Sequence, residues 1–167
     1  ANEQVKLSKT GTSDFYYNYY LGNEESKWQS DVRSFSTIRY HELYNGIDLE
    51  VYSKNGFTKY DYIVHAGSSP NQIAVQYNGV KTPTTKDGQL IVSHKLGELI
   101  EEKPYAYQTV NGKRKEVECN YTLNNGVVGF EFPKGYIKSI PLIIDPTLIF
   151  STFSGSTANN FGYTATF

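Results

Sequence analysis

Two carboxylates spaced two residues apart are the first place to look for chemistry in this chain of 167 residues. Asp48 and Glu50 lie in an alternating run that predicts a strand, and they share one face of it. Because a strand rises about 3.3 Å per residue, their Cβ atoms lie about 7 Å apart. That spacing suits a carboxylate pair or a calcium site, but it also occurs on the solvated faces of open strands. We therefore expect no metal and no cofactor, with Asp48 and Glu50 as the nearest approach to a metal site.

Three further carboxylates invite comparison with a glycosidase. Such enzymes place two carboxyl groups close together and raise the pKa of one by burial. Glu101 and Glu102 are neighbours on a predicted strand, so they point to opposite faces, and Glu98 has no partner on either face. We expect all three to be solvated strand charges.

Histidine and cysteine give no local motif. His41, His65 and His94 are too far apart for a known metal-binding pattern. His41 and His65 flank the same stretch, so the alternatives are a pair brought together by a β fold or exposed positions at strand ends. Cys119 alternates with two apolar residues, which predicts a small core residue rather than a reactive thiol. No GxSxG, P-loop or GxGxxG motif occurs, and no catalytic residue is predicted.

Tyrosine is the unusual feature of the composition, with 15 residues. Tyrosine favours strands and half-buried surfaces, where the ring packs and the hydroxyl stays in water. The stretch from Leu43 to Val64 alternates around Asn55-Gly56, a strong hairpin signal. If this hairpin binds a ligand, the predicted surface is formed by whichever of Tyr52, Tyr60 and Tyr62 the sheet leaves exposed.

Charge and composition exclude several functions. There are 16 basic and 17 acidic residues, and this balance argues against nucleic-acid binding and against electrostatic membrane binding. No apolar run approaches the roughly 18 residues of a spanning helix, so no membrane insertion is expected. A single cysteine excludes an internal disulfide. The chain opens at Ala1 without a methionine, which indicates removal of a signal peptide or a cloning boundary.

The rest of the chain reads as short strands separated by turn signals. Alternating or apolar runs recur roughly every 8 to 12 residues between Asx-Gly and proline turns, as in an antiparallel sandwich or barrel. Among the strands predicted from these runs are residues 89–93, 105–110, 115–123, 127–132 and 142–144. The crossover helices of a parallel sheet are missing. We predict an all-β, antiparallel β-sandwich-like domain. Residues 1–37 look less regular. We expect the aromatic run DFYYNYYLG to be a strand that packs on the main sheets, and Trp28 and Phe35 to close an end of the core.

The composition changes near Asp145-Pro146. The segment SGSTANNFGYTATF is small, polar and glycine-rich, and it ends in what reads as the middle of a strand. We predict an all-β N-terminal domain over residues 1–146 and the beginning of a truncated propeller-type repeat over residues 147–167.

Seven motifs in one order resemble a known family. They are YYLG, YHELYNGIDL, KYDYIV, QYNGV, GQLIV, GELIEEKPYAYQ and PLIIDPTLIFSTFSGS, and they span Tyr19 to Ser156. Together they resemble the N-terminal domain of unknown function that precedes SBBP-type β-propeller repeats in large secreted bacterial proteins. The tail after the IDP element resembles the start of the first repeat.

The resemblance implies a cellular location for the protein but no catalysed reaction. Relatives are exported to the cell surface or released, and many carry adhesin-type modules and signals for type IX secretion, which is linked to gliding motility. No catalytic residue carries over. The expectation is a non-enzymatic module whose partners are surface polysaccharides or other cell-surface proteins, with the secretion machinery as a partner during export. The alternatives are a cargo fragment bound to the type IX translocon, or a carbohydrate-active enzyme with Asp48 or Glu50 among its acids.

Overall fold

The fold is built from β-strands. In a computed structural model of the protein, the described residues are 1–2, 4–54, 57–95 and 97–150, and within them there is no α-helix. The strands are β1 (Lys6–Tyr19), β2 (Gln29–Tyr44), β3 (Ile47–Lys54), β4 (Phe57–Val64), β5 (Val75–Gln76), β6 (Thr84–Lys86), β7 (Gln89–His94), β8 (Gly97–Glu101), β9 (Tyr105–Val110), β10 (Lys113–Val117), β11 (Asn120–Asn124), β12 (Val127–Glu131), β13 (Leu142–Asp145) and β14 (Leu148–Phe150). Two short 3-10 helices cover Glu25–Lys27 and Pro70–Gln72.

The strands form three sheets. The large sheet has the order β1-β2-β3-β4-β13-β9-β10, the three-stranded sheet β11-β12-β5, and the four-stranded sheet β14-β8-β7-β6. Every strand pair is antiparallel. The prediction of an all-β antiparallel fold is confirmed.

One hydrophobic core receives side chains from all three sheets. Alternation along β3 and β4 gives each strand one apolar face, and the same holds for β7 and β12. The buried side chains at the centre are Ile47 and Val64 from the large sheet, Leu90 and Val92 from the four-stranded sheet, and Val128 and Phe130 from the three-stranded sheet.

Turn chemistry fixes the hairpins. At Asp87-Gly88, Asn111-Gly112 and Asn125-Gly126 both central residues have positive φ, between 50° and 83°. This is the conformation of a type I′ turn, which Asx-Gly dipeptides adopt with little strain. The predicted turn at Asn55-Gly56 lies outside the described residues.

One strand predicted from the sequence forms two separate strands in the structure. The alternating run from Lys115 to Leu123 divides at Glu118 and Cys119, where the chain leaves β10 of the large sheet and enters β11 of the three-stranded sheet. Both strands keep the same face toward the core, so alternation continues across the break. The hydrophobic pattern therefore carried no sign of the change of sheet.

The first 44 residues differ most from prediction. They form β1 and β2, a long hairpin whose distal half is exposed on every described strand position but one. Trp28 and Phe35 are each 37% exposed, so the prediction that they close the core is wrong. The distal halves of these strands are held by their mutual ladder and not by a buried face, so they show no alternation that would predict them.

The predicted second unit is described only at its start. β14 follows the predicted boundary at Asp145-Pro146, yet it pairs with β8 in the four-stranded sheet. Residues 151–167, which carry most of the predicted propeller-type repeat, lie outside the described residues.

Candidate functional site

A single buried carboxylate joins the three sheets. Glu101, at the end of β8, is 3% exposed and accepts hydrogen bonds from three tyrosine hydroxyls. Tyr60 of the large sheet and Tyr121 of the three-stranded sheet donate to Oε2 at 3.0 and 2.9 Å, and Tyr77 donates to Oε1 at 3.0 Å. We call these four residues the Glu101 cluster. The expectation that Glu101 is a solvated strand charge is therefore wrong.

The Glu101 cluster is built for stability. A buried carboxylate without a counter-cation is tolerated when hydrogen bonds satisfy its oxygens, as three hydroxyls do here. Burial, and then the charge of Glu101, raise the pKa of Tyr60 and of Tyr121 well above the ordinary tyrosine value. The three phenols stay protonated and act as donors, so the cluster holds the sheets in place.

The outer face of the large sheet carries a polar network around Asp48. This carboxylate is 3% exposed; its Oδ1 accepts the backbone N–H of Glu42 at 2.8 Å, and its Oδ2 lies 3.2 Å from His65 Nε2. His41 Nδ1 lies 3.8 Å from the same oxygen, while His41 Nε2 is 2.7 Å from Ser8 Oγ. His41 and His65 therefore do converge, as one of the two alternatives predicted.

The order Ser8, His41, Asp48 superficially matches a nucleophile, its base and an orienting acid. At 3.8 Å, however, His41 and Asp48 are too far apart for the hydrogen bond that would fix the imidazole tautomer. Asp48 instead caps the bulge at Glu42, a residue with a φ of 51°. The network is thus explained by the local bend of β2.

Glu50 is held by an arginine. Arg39, opposite it on β2, donates to Glu50 Oε2 from Nη2 at 2.8 Å and from Nε at 2.9 Å. Arg39 Nη1 also lies 4.0 Å from Asp48. Asp48 and Glu50 do share a face, but each has partners within the protein. No group of three metal-ligating side chains occurs among the residues that the structure describes.

A second carboxylate network lies further across the same face. Tyr52 donates to Asp61 at 3.3 Å, and Lys59 Nζ lies 3.1 Å from Asp145. Burial and the charge of Asp145 raise the pKa of Asp61 to about 6, against the lowering effects of Tyr52 and Lys59. Burial raises the pKa of Tyr52 as well, so this hydroxyl remains a donor.

The three predicted binding tyrosines lie on two different faces. Tyr52 is half-buried on the outer face of the large sheet, whereas Tyr60 and Tyr62 point into the core. Tyr62 is 5% exposed and packs edge-on against Phe130, with ring centroids 5.8 Å apart. The alternation of β4 puts these two side chains inside, so only Tyr52 remains available at the surface.

Cys119 lies where its alternation predicts. It is 1% exposed, together with the buried Val117 and Tyr121. Burial raises the pKa of the Cys119 thiol to about 12, which keeps it protonated and unreactive at neutral pH.

The exposed aromatic surface lies instead on the first hairpin. We call residues 12–35, the distal part of β1 and β2 with their connection, the arm. Nine of the twelve large hydrophobic side chains that are exposed in the described chain belong to it. They are Phe15, Tyr16, Tyr17, Tyr19, Tyr20, Leu21, Trp28, Val32 and Phe35.

Local contacts order the arm. Trp28 donates its indole N–H to the carbonyl of Gly22 at 3.2 Å, and its ring meets Tyr20 edge-on with centroids 5.4 Å apart. Arg33 lies over the ring of Tyr16. In the described part of the chain, the hydroxyls of Tyr16, Tyr17 and Tyr19 have no hydrogen-bond partner, so they face solvent. The arm presents exposed aromatic rings, with free hydroxyls at Tyr16, Tyr17 and Tyr19, a combination typical of recognition surfaces.

The sequence contained a signal for this surface. DFYYNYYLG has no alternation that could bury its aromatic residues on one side, and it is interrupted by Asn18 and ends at Gly22. Aromatic density without a matching apolar face predicts exposed rings, and this inference was missed in favour of packing on the main sheets.

Comparison with known proteins gives the family alone. The described chain contains no helix whose length and apolar character would let it span a bilayer. Neither a curated protein nor a solved structure matches the chain at a significant level. The profile of the family described as "Domain of unknown function (DUF7948)" matches residues 1–147. The chain therefore belongs to the DUF7948 family, a domain of unknown function.

Proposed function

We propose that this domain is a non-enzymatic binding module of an exported bacterial cell-surface protein, and that the arm is its contact surface. The exposed aromatic cluster of the arm carries the proposal, because a patch of this kind on a soluble domain marks a site of interaction. The resemblance to domains preceding SBBP repeats supplies the context: an adhesin-like protein at the cell surface or outside the cell, exported through type IX secretion. In this proposal the three sheets form a sandwich-like support, and a propeller-type repeat begins after it.

The charges of the arm narrow the class of ligand. Asp14, Glu24, Glu25 and Asp31 stand against Lys27 and Arg33, a net charge of −2. Both cations are paired within the arm, Lys27 with Glu24 at 2.7 Å and Arg33 with Asp31 at 3.1 Å. A polyanion would find no unpaired positive side chain here, so uncharged polysaccharides and proteins are the favoured classes.

The carbohydrate-active enzyme remains a second candidate because of one observation. Asp61 has a raised pKa beside Asp145, whose carboxylate is paired with Lys59, and such divergent carboxyl environments are found in glycosidases. The principal cavities of the described chain lie elsewhere, along β10 and β12. A flat sheet face does not enclose a sugar ring, and this favours the binding function.

An array of glycans and purified cell-surface polysaccharides, together with whole cells, tests the proposal. The full chain is compared with a variant that carries Tyr16→Ser, Tyr17→Ser and Tyr19→Ser. Leu7→Ser is the matched control, since Leu7 is 50% exposed on β1 but lies outside the arm. We expect saturable binding that is lost in the arm variant and kept in the control.

Folding of each variant is checked by circular dichroism. Equal binding by the arm variant and the unmodified chain would contradict the role of the arm. No binding by either would favour the structural role, in which the domain supports neighbouring modules, or transient binding to the secretion machinery as cargo. Variants of Tyr60 and Tyr62 are unsuitable for this test, because both side chains contribute to the core.

A further inference from the structure

A groove runs beside β10, at the opposite edge of the large sheet from the arm. It consists of two adjoining cavities of about 490 and 500 Å³. The cavities have four wall residues in common: Glu116, Val117, Glu118 and Lys134. We call the two cavities together the β10 groove. Tyr105 lines one of them and Ile137 the other, and these side chains are 38% and 43% exposed.

The exposed apolar side chains of the described chain are concentrated in these two places. Of the twelve large ones, nine lie on the arm and two, Tyr105 and Ile137, line the β10 groove. The twelfth is Leu7, near the start of β1. Exposed apolar side chains gathered in this way indicate contact surfaces, and here one surface projects while the other is concave.

The charges of the two surfaces are complementary. The arm has a net charge of −2, from four carboxylates and two internally paired cations. The walls of the β10 groove carry the cations Lys103, Lys115 and Lys134 against the carboxylates Glu116 and Glu118, a net charge of +1. Lys103 and Lys115 lie on the groove walls, and no ion pair within the described chain involves either of them.

A molecule cannot join its own two surfaces. β1 and β10 are the two edges of the seven-stranded sheet, so six inter-strand spacings separate them, roughly 29 Å at about 4.8 Å each. The arm also continues along the strand direction beyond the point where β2 pairs with the end of β3, and not across the sheet. Contact between an arm and a β10 groove therefore requires two molecules.

We propose that the arm of one molecule docks into the β10 groove of a second copy, head to tail. This inference rests on the proposed function in taking the arm as the contact surface, and it names the partner. Phe15 and Leu21, 80% and 65% exposed, are the apolar anchors, and the carboxylates of the arm face the lysines of the groove. Since the two surfaces differ, each molecule in a pair keeps one of them free, and the contact builds open chains or rings.

Sedimentation velocity with the full chain at increasing concentration tests self-association. We expect species larger than a dimer, and we expect association to weaken with added salt because it joins opposite charges. The arm variant is Phe15→Ser with Leu21→Ser, and the groove variant is Ile137→Glu. Each variant alone should associate at least tenfold more weakly than the unmodified chain, while Leu7→Ser should associate normally.

Mixing the two variants is the decisive step. The arm variant retains an intact groove and the groove variant retains an intact arm, so the mixture should form a one-to-one dimer and nothing larger. An unmodified chain that stays monomeric at all concentrations overturns the proposal. So does a mixture that fails to dimerise, or a groove variant that associates as well as the unmodified chain, which would indicate contact between arms.

The groove variant also separates this proposal from the proposed function. It keeps the arm, and we expect it to be monomeric. If it binds surface polysaccharide or cells as the unmodified chain does, the binding function stands whatever self-association shows. Self-association can also behave as expected while neither the groove variant nor the unmodified chain binds polysaccharide or cells. In that case the arm serves assembly alone and the binding function fails.

Discussion

The arm and the Glu101 cluster both depend on tyrosine, but they use it in opposite ways. On the arm, the rings of Tyr16, Tyr17 and Tyr19 are about half exposed, and their hydroxyls face solvent. In the Glu101 cluster, the hydroxyls of Tyr60 and Tyr121 both donate hydrogen bonds to one buried carboxylate. The side chain is the same, so the difference comes from what the neighbouring strands place around it. A tyrosine opposite a second sheet becomes a structural donor, and a tyrosine on an isolated hairpin remains available for contact.

Removing the Glu101 carboxylate, the acceptor that three tyrosines share, should have the largest effect on stability. Glu101→Ala leaves three tyrosine hydroxyls without their acceptor, and at about 1–3 kcal/mol for each unsatisfied buried group the total is at least about 3 kcal/mol. We expect a loss of this size in the free energy of unfolding, measured by urea denaturation. Glu101→Gln, which keeps an acceptor of the same size, should lose less. Equal stability of Glu101→Ala and the unmodified protein would contradict the structural role of the cluster.

Removing one donor should have a smaller effect. Tyr121→Phe keeps the ring in the core and leaves Glu101 with two hydroxyl donors, so we expect a loss of about 1.5–3 kcal/mol, the range for a hydrogen bond to a charged group. Chemical denaturation of the variant provides the measurement. The same change at Tyr17, which has an exposed hydroxyl, is the control and should have no measurable effect.

Tyr52 is intermediate between the exposed tyrosines of the arm and the buried tyrosines of the Glu101 cluster. It is half-buried, and the protonation of its partner Asp61 changes with pH. The pKa of Asp61 is raised to about 6 in the folded protein against an ordinary value of 3.8, so the folded state holds a proton that the unfolded state has released. Stability from this group is present below pH 3.8 and is lost as the pH rises toward about 6. Allowing for solvent screening of this part-exposed carboxylate, the loss is about 1 kcal/mol.

Asp61→Asn removes that loss. We expect the variant to gain about 1 kcal/mol over the unmodified protein at pH 7, and to gain little at pH 3.5. Denaturation at the two pH values measures the difference, and the contributions of other carboxylates cancel in the comparison. If Asp61→Asn is instead less stable than the unmodified protein, and increasingly so toward pH 7, the folded state favours the charged form of Asp61.

The smallest effect is expected on the arm. Tyr17→Ser removes an exposed ring that contacts Tyr19 with centroids 6.4 Å apart, and surface changes of this kind stay within about 0.5 kcal/mol. Thermal unfolding should show a midpoint close to that of the unmodified protein. A large loss would mean that the arm is part of the cooperative core, and the contrast drawn between the two groups of tyrosine would then be unfounded.

Much of the fold was predictable from the sequence, because most strands carry one apolar face. β7, β9, β12 and β13 lie within a residue or two of their predicted bounds, and the Asx-Gly turns that join β6 to β7, β9 to β10 and β11 to β12 have the expected backbone. The opposite faces of Tyr60 and Asp61 also follow from alternation. The division between β10 and β11 does not, since strand periodicity is the same in either sheet.

The candidate site was harder to predict, because it depends on what surrounds a residue. Glu101 looks like any charge on a strand until two other sheets place tyrosines around it. The arm was missed for the reverse reason. The distal halves of β1 and β2 contain strand-forming residues but have no buried face, so hydrophobic patterning gives no periodic signal there. The family match adds no ligand, since its domain is of unknown function.

The hydrogen-bond partners in the Glu101 cluster are far apart in the sequence, and this has a consequence for how the chain folds. Its donors lie 41, 24 and 20 residues from the carboxylate along the chain, and β4 must also pair with β13, which lies some 80 residues later. No single hairpin can satisfy Glu101, so the strands from β3 to β14 should fold together in one cooperative step and not sheet by sheet. Contacts of such long sequence separation place folding in the millisecond-to-second range typical of all-β domains. A chain emerging from the ribosome should therefore stay unfolded until β13 is free to pair.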